Sequence, residues 1–307
     1  MLRSKFLLNL FGLSALLLVA CQNQDQLLNS ASHEEPAALA KASAANNSLS
    51  GETLYAMTTS NKLLTFNSTA PRTILSSVRL SGLQPNEELL GIDFRPANGK
   101  LYGLGSTSRL YVIDAQSGVA TAVGAGSFTP ALEGNAFGFD FNPTVDRIRV
   151  VSETGQNLRL HPDLGTVVDG DANTPGIQPD GKLAYAAVDV NFNRKSVVAG
   201  AAYTNPDNDP ATGTTLYDIC ASRDVLAIQN PPNNGVLNTV GALGFNFEKL
   251  VGFDISKNGI GYATVKAQNR RDGYSDLVTV NLSTGLISRI DIIGTSEPIR
   301  GLAVPVQ

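Results

Sequence analysis

The sequence predicts an all-β fold, a five-bladed β-propeller, on three observations. A short phrase of glycine or alanine, an apolar residue, aspartate and another apolar residue recurs along the chain: Gly91-Ile-Asp93-Phe, Gly138-Phe-Asp140-Phe, Ala187-Val-Asp189-Val and Gly252-Phe-Asp254-Ile, with Gly301-Leu-Ala303-Val near the C-terminus. The third positions lie 47, 49, 65 and 49 residues apart, the spacing of four-stranded propeller blades. Finally, the chain starts with a repeat lacking its first strand and ends with a first strand lacking its repeat, so the two complete one blade and close a ring.

Each element follows in order. The incomplete first unit supplies "ETLYAMT" from Glu52, "KLLTFN" from Lys62 and "TILSSVRL" from Thr73. In the later units the phrase is the first strand. Second strands are "KLYGLG" (Lys100), "RIRVVS" (Arg147), "KSVVAGA" (Lys195) and "IGYATV" (Ile260). Third strands are "RLYVID" (Arg109), "NLRLH" (Asn157), "TLYDI" (Thr215) and "DLVTVN" (Asp276). Gly118, Gly165, Gly235 and Gly285 precede the fourth strands, where a hairpin turn needs φ > 0. "RGLAVPV" from Arg300 closes the ring. The third unit is stretched by "TNPDNDPATG" (204–213) and "QNPPNNG" (229–235), and "DVLAIQ" from Asp224 leaves six blades as the alternative.

The N-terminus predicts an address. Arg3 and Lys5 precede an apolar run from Phe6 to Val19, too short for a good membrane span and ending in "LLVACQ". "LVAC" resembles a bacterial lipobox. The resemblance implies a signal peptide over 1–20 and a lipid (palmitate among its acyl chains) on Cys21, which anchors the chain to the membrane. Gln22 stands where an inner-membrane retention signal has Asp, and this implies the outer membrane of a Gram-negative envelope. Residues 21–50, rich in Ala, Ser, Asn and Gln, read as a flexible tether, and 51–307 as the propeller domain. With Cys21 lipidated, Cys220 has no disulfide partner, and its alternating setting "TLYDICAS" reads as a buried, inert thiol.

The chain has 23 basic and 27 acidic residues, for a net charge of −4, and losing Arg3 and Lys5 leaves 21 against 27, or −6. An acidic exported domain without a Lys/Arg tract excludes a nucleic-acid partner.

Three constellations carry candidate chemistry. Asp93, Asp140, Asp189 and Asp254 are expected to form most of a ring at the channel, either accepting backbone hydrogen bonds from neighbouring blades or bridged by a cation; the first is the favoured reading. Arg147, Arg149, Arg159 and His161 alternate with apolar residues on two adjacent strands. With "TGQ" (154–156) as the loop, Arg149 faces His161, and the cluster could hold an anionic or sugar ligand. The plainer expectation is ion pairing with Glu153, Asp146 and Asp163. Asp169, Asp171, Asn173 and Asp180 occupy positions 1, 3, 5 and 12 of a calcium-loop spacing, but Thr174 replaces the glycine and Asp180 the bidentate glutamate. Calcium is therefore the one cofactor that the spacing suggests. Catalytic motifs are absent: there is no nucleophile elbow, phosphate loop or His-Glu pair, and His161 is the single histidine after residue 50.

The phrases "NAFGFDFNPTVDRIRVVSETGQNLRLHPDLGTVVDGDANTPG", "LAYAAVDVN", "AAYTN", "TTLYDI", "QNPPNNGVLNTVGALG" and "VGFDI" resemble a bacterial exported-protein family known as DUF4394, a domain of unknown function. The resemblance spans nearly all of 51–304 and implies a secreted or anchored β-rich domain with no established activity. Cys220 stands where that pattern has a polar or acidic residue. The expectation is a lipid-anchored envelope module that binds a glycan, a small anion or an envelope protein. The alternative is a sugar or lactone hydrolase with a carboxylate- or calcium-lined site at the channel.

Overall fold

The computed structural model describes residues 51–306 apart from Asn208 and Asn269. The expected signal peptide (1–20), the expected lipidation of Cys21 and the expected tether (21–50) lie outside the described residues.

Among the described residues, twenty-one strands form five sheets in a ring. The first sheet holds β1 (Thr53–Thr58), β2 (Lys62–Asn67) and β3 (Ile74–Arg79). The second is β4 (Leu89–Phe94), β5 (Leu101–Gly105), β6 (Arg109–Ile113) and β7 (Ala120–Val123). The third is β8 (Phe137–Asn142), β9 (Arg147–Ser152), β10 (Asn157–His161) and β11 (Thr166–Val167). The fourth holds β12 (Ala184–Tyr185), β13 (Val198–Tyr203), β14 (Leu216–Cys220), β15 (Val225–Gln229) and β16 (Val236–Ala242). The fifth is β17 (Gly252–Ile255), β18 (Gly261–Val265), β19 (Asp276–Val280) and β20 (Ile287–Ile292). The last strand, β21 (Ile299–Ala303), pairs antiparallel with β1 and completes the first sheet as its innermost strand. Five blades closed by the C-terminal strand are thus observed.

The stretched unit departs from its expected strand assignment. Its innermost strand is β13, within "VVAGAAY", and not the segment around Asp189. "TLYDI" becomes the second strand and "DVLAIQ" the third of the same sheet, which leaves no sixth blade. Upstream, β12 adds a fifth strand at the outer edge, parallel to β16. The physical reason lies in how the blades meet. Each innermost strand carries a glycine, and a Cβ added there would approach the next blade too closely: 2.6 Å from Phe139 Cβ at Gly91, 2.6 Å from Ala201 N at Gly138, 3.0 Å from Phe253 Cβ at Gly200 and 2.6 Å from Leu302 N at Gly252. Gly200 meets this requirement, whereas Ala187 would bring a methyl group about 3.0 Å from Phe253 Cβ, a contact tighter than ordinary packing.

Alternation along each inner strand then gives two buried faces. Gly91 and Asp93 face the following blade, while Phe94 packs edge-on against Tyr55 of the preceding one at 5.2 Å. All six residues of β4 are buried for this reason. The glycines before the fourth strands, Gly118, Gly165, Gly235 and Gly285, have φ of 75, 63, 67 and 83°. Buried apolar residues form one cluster per interface between blades, and together these clusters make the core.

Candidate functional site

Three of the four phrase aspartates converge near the axis: carboxylate oxygens of Asp93, Asp140 and Asp254 lie within 4.8 Å of one another, all buried. Asp189 does not join them. It sits in a half-buried turn on the outer edge of the fourth blade, where it accepts from Thr239 N at 2.6 Å and Thr239 Oγ1 at 2.8 Å. The ring position it was expected to fill belongs to Ala202.

The three carboxylates tie neighbouring blades together. Asp93 Oδ2 accepts from Phe141 N (2.8 Å), Asp140 Oδ1 from Tyr203 N (2.9 Å) and Asp254 Oδ2 from Val304 N (2.6 Å), each across to the next blade. Two blades offer alanine instead, Ala202 and Ala303. The N–H groups that these leave without an interblade acceptor, Ile255 N and Phe94 N, bond to their own preceding aspartates at 2.6 and 2.7 Å. Five backbone donors are thereby satisfied by three carboxylates, and of the six oxygens only Asp140 Oδ2 accepts no bond among the described residues. Burial raises all three pKa values, to about 7 for Asp254 and well above the usual range for Asp93 and Asp140, where repulsion from the other carboxylates adds to it. A cation here would have Asp140 Oδ2 as its one uncommitted ligand atom and would share the others with backbone N–H groups.

The second constellation lines a cavity of about 440 Å³ between the third and fourth blades, walled by Asn142, Val145, Arg147, Arg149, Arg159, Val168, Tyr203, Pro232 and Asn233. Residues 153–156 connect β9 to β10, and because Ser152 N bonds to Gln156 O the hairpin turns about Thr154, one residue earlier than expected. Arg149 therefore lies opposite Arg159 and not opposite His161. Three arginines reach the cavity; His161 does not line it, and its Nδ1 accepts from Asp163 N at 3.2 Å.

Arg149 is 2% exposed and held on every side. It donates to Asn157 Oδ1, Asp180 Oδ2 and Asn233 Oδ1, each at 2.7 Å, and to Tyr203 OH at 3.5 Å. Arg159 forks onto both oxygens of Asp180 at 2.8 Å. Asp180 is thus the buried anchor of two arginines and not the twelfth ligand of a calcium loop. Asp169 and Asp171 accept hydrogen bonds within their own loop, from Gln178 N, Asn173 N and Thr174 Oγ1 among others, and Asn173 donates to Asp171 at 3.2 Å. The loop reads as a chain of side-chain-stabilised turns.

Arg147 differs from its neighbours. Its Nη1 donates to the carbonyls of Val145 and Asp146, but it has no carboxylate within ion-pair distance among the described residues. The carboxylates expected to neutralise it are committed elsewhere. Asp146 and Asp163 both bind Arg95 of the second blade, whose guanidinium also donates to Tyr102 OH, and Glu153 pairs with Lys249. Nearby on β14, Asp218 is 0% exposed and neither of its oxygens has a partner among the described residues. Burial pushes its pKa up to about 8, with Arg149 pulling the other way, so it is largely protonated at neutral pH. Arg149 and Arg159 thus share the Asp180 carboxylate beside the cavity, and Arg147 stands there without an ion pair among the described residues.

A second cavity of about 340 Å³ shares Asn142, Tyr203 and Pro232 as a common wall and adds Thr214, Thr215, Gln229 and Asn230. Pro232 and Asn233 come from the insertion 229–235, where residues Pro232–Asn234 form a 3-10 turn capped by Gly235 in the left-handed conformation. Sequence reasoning singled out the arginines and quoted both insertions, but it did not identify Asn142, Asn157, Tyr203 or Asn233 as functional. Those residues meet only through the ring. Cys220 is fully buried, with its pKa pushed up to about 12 by burial, which is an inert thiol.

A family model described as Domain of unknown function (DUF4394) matches residues 62–303. No curated protein matches the chain. Among solved structures, a candidate 6-phosphogluconolactonase from Bacteroides uniformis is similar at 17% identity, over 82% of this chain and 71% of that one, with a TM-score of 0.38. A chain of a nidogen/laminin complex is similar at 13% identity over 83% and 98%, with a TM-score of 0.45. An auxiliary nutrient binding protein from Bacteroides ovatus is similar at 14% identity over 68% and 55%, with a TM-score of 0.40. Likenesses at this level carry no activity across to this chain.

Proposed function

The chain belongs to the DUF4394 family, whose description names no activity, and we propose that it is a lipid-anchored binding module of the cell envelope whose ligand is an anion held in the three-arginine cavity. One observation carries this reading: Arg147 faces the cavity without a carboxylate partner, beside two arginines that share a single one. Guanidinium forks on a cavity wall recognise carboxylate or phosphate. Apolar Val145, Val168 and Pro232 can cover the body of a ligand, and the hydroxyl and amide groups of Thr214, Thr215 and Asn230 in the adjoining cavity suit a hydroxylated one. An acidic sugar meets both conditions. The hydrolase alternative would need a carboxyl of raised pKa in a pocket. Its expected place is the channel, where the raised carboxyls of Asp93, Asp140 and Asp254 do converge, but five of their six oxygens accept backbone N–H bonds between and within blades, and the arginine cavity has no carboxyl in its lining. Lipidation of Cys21 and an outer-membrane address belong to the same proposal and rest on the "LVACQ" signal.

Isothermal titration with glucuronate, inorganic phosphate and neutral glucose tests the site. Binding of an anion but not of glucose is expected. Arg147→Ala, which removes a partly exposed side chain with little effect on folding, should weaken that binding by about 1.5–3 kcal/mol, roughly 10- to 100-fold. Equal binding by the variant, or no heat with either anion, would sink the proposal.

A further inference from the structure

The segment 186–195 is folded in reverse of an ordinary surface turn. Val188 and Val190 are 96% and 87% exposed, and Phe192 is 46% exposed. Between the valines, the charged Asp189 points inward. Its Oδ1 accepts from Thr239 Oγ1 and Asn191 N, its Oδ2 accepts from Thr239 N, and Asn191 Nδ2 donates to Thr239 Oγ1. Three successive turn bonds, Asp189 N to Ala186 O, Phe192 N to Asp189 O and Arg194 N to Asn191 O, fix the backbone. The polar side chains are spent on holding a finger whose apolar tips stand in solvent. Single exposed apolar residues are commonplace, but two valines near full exposure on an ordered turn are not.

Beside the finger is a cluster of cations. Arg194 and Lys195 continue it, and Ser222 Oγ to Lys195 O and Ala221 N to Val197 O bring the turn carrying Arg223 alongside. All three are exposed, and none joins an ion pair among the described residues. Aliphatic tips flanked by unpaired cations match a bilayer surface, where the tips enter the acyl boundary and the cations meet phosphates. A second copy of the chain fits less well, since a twofold contact through this finger would bring its own cations together. A protein pocket would select an aromatic or arginine anchor over two convex valines.

We propose that this finger docks the domain on anionic phospholipid. The surface is distinct from the cavity. None of the finger's residues or the cations beside it lines the cavity, and the length of β13 from Val198 to Tyr203 separates the two in the chain. A lipid on Cys21, thirty residues before Gly51, would hold the bilayer near and let a weak surface suffice. The proposal itself does not depend on that lipid.

The test uses residues 22–307, which contain the whole closed ring and lack Cys21. Sedimentation with vesicles of phosphatidylcholine alone, and of phosphatidylcholine with phosphatidylglycerol, should show binding to the anionic vesicles only, weakening as salt rises. Arg194→Ala with Lys195→Ala should lower partitioning on the order of 30-fold. Val188→Asp with Val190→Asp should abolish it while the melting temperature is unchanged. Absence of binding to anionic vesicles at low salt would overturn the proposal, as would binding that survives both double variants. A self-association lost in the valine variant, without vesicle binding, would reassign the finger to a second copy.

Discussion

Asp140 stands apart from the two carboxylates it faces. Asp93 and Asp254 each spend both oxygens on backbone N–H groups, whereas Asp140 Oδ2 is uncommitted and can carry the proton that three crowded carboxyls require. Asparagine at 140 keeps the acceptor for Tyr203 N and turns an NH₂ toward its neighbours, so Asp140→Asn should hold or raise stability. Asparagine at 93 sets a donor against a backbone N–H and should cost about 1–3 kcal/mol in urea unfolding. The pH dependence has a definite sign. Burial first, and mutual repulsion second, raise the folded pKa values of Asp93 and Asp140; burial raises that of Asp254 to about 7 and that of Asp218 to about 8. The folded state therefore keeps protons that the unfolded chain, with carboxyls near about 3.9, has already released. Stability from these groups is fully present below the unfolded pKa and is lost as pH rises through the folded values. The melting temperature should fall between about pH 5 and about pH 8, and Asp140→Asn should flatten the decline. A melting temperature flat or rising over that range in the unmodified chain would contradict ionisation of these groups.

At the scale of the element, β9 and β10 owe their role to one residue from outside both. Asp180 arrives from the loop after β11 and holds Arg149 and Arg159 at 2.7 and 2.8 Å. Asp180→Ala would leave a fully buried guanidinium without its counter-ion, at a cost of about 3–5 kcal/mol, with anion binding impaired as the two arginines reorient. Replacement of either exposed loop aspartate, Asp169 or Asp171, should change stability by less than about 0.5 kcal/mol. Paired denaturant titrations of Asp180→Ala and Asp171→Ala distinguish this anchoring role from a calcium loop, in which both would matter. The alternation of Arg147, Arg149 and Arg159 with Ile148, Val150, Leu158 and Leu160 was legible in the sequence, because a period of two decides which side chains share a face. The pairing of Arg149 with Arg159 was not, since it turned on whether the loop began at Glu153 or Thr154, and several nearby loop lengths satisfy the same alternation.

For the whole molecule, closure is the decisive contact. β21 is separated from β1 by most of the chain, yet it supplies the innermost strand of that blade, with Ala56 opposite Leu302 and Gly301 against the second blade. Truncation after Pro298 would open the ring, expose Leu54, Ala56 and Ile92, and leave Asp254 without Val304 N. Such a chain should lose its cooperative unfolding transition, measurable by calorimetry. By itself, the sequence determined the all-β class, the repeat, the turns at Gly118, Gly165, Gly235 and Gly285, and the joining of the two ends, because these follow from local periodicity and backbone sterics. Tertiary structure alone decided which strand of the stretched unit is innermost, through the close approach that admits Gly200 and leaves Asp189 at the rim. It alone also decided that Arg95 takes Asp146 and Asp163 and so leaves Arg147 without an ion pair among the described residues. Those outcomes are choices of partner across dozens of residues, made by distance and burial in the closed ring, and a local pattern carries no information about them.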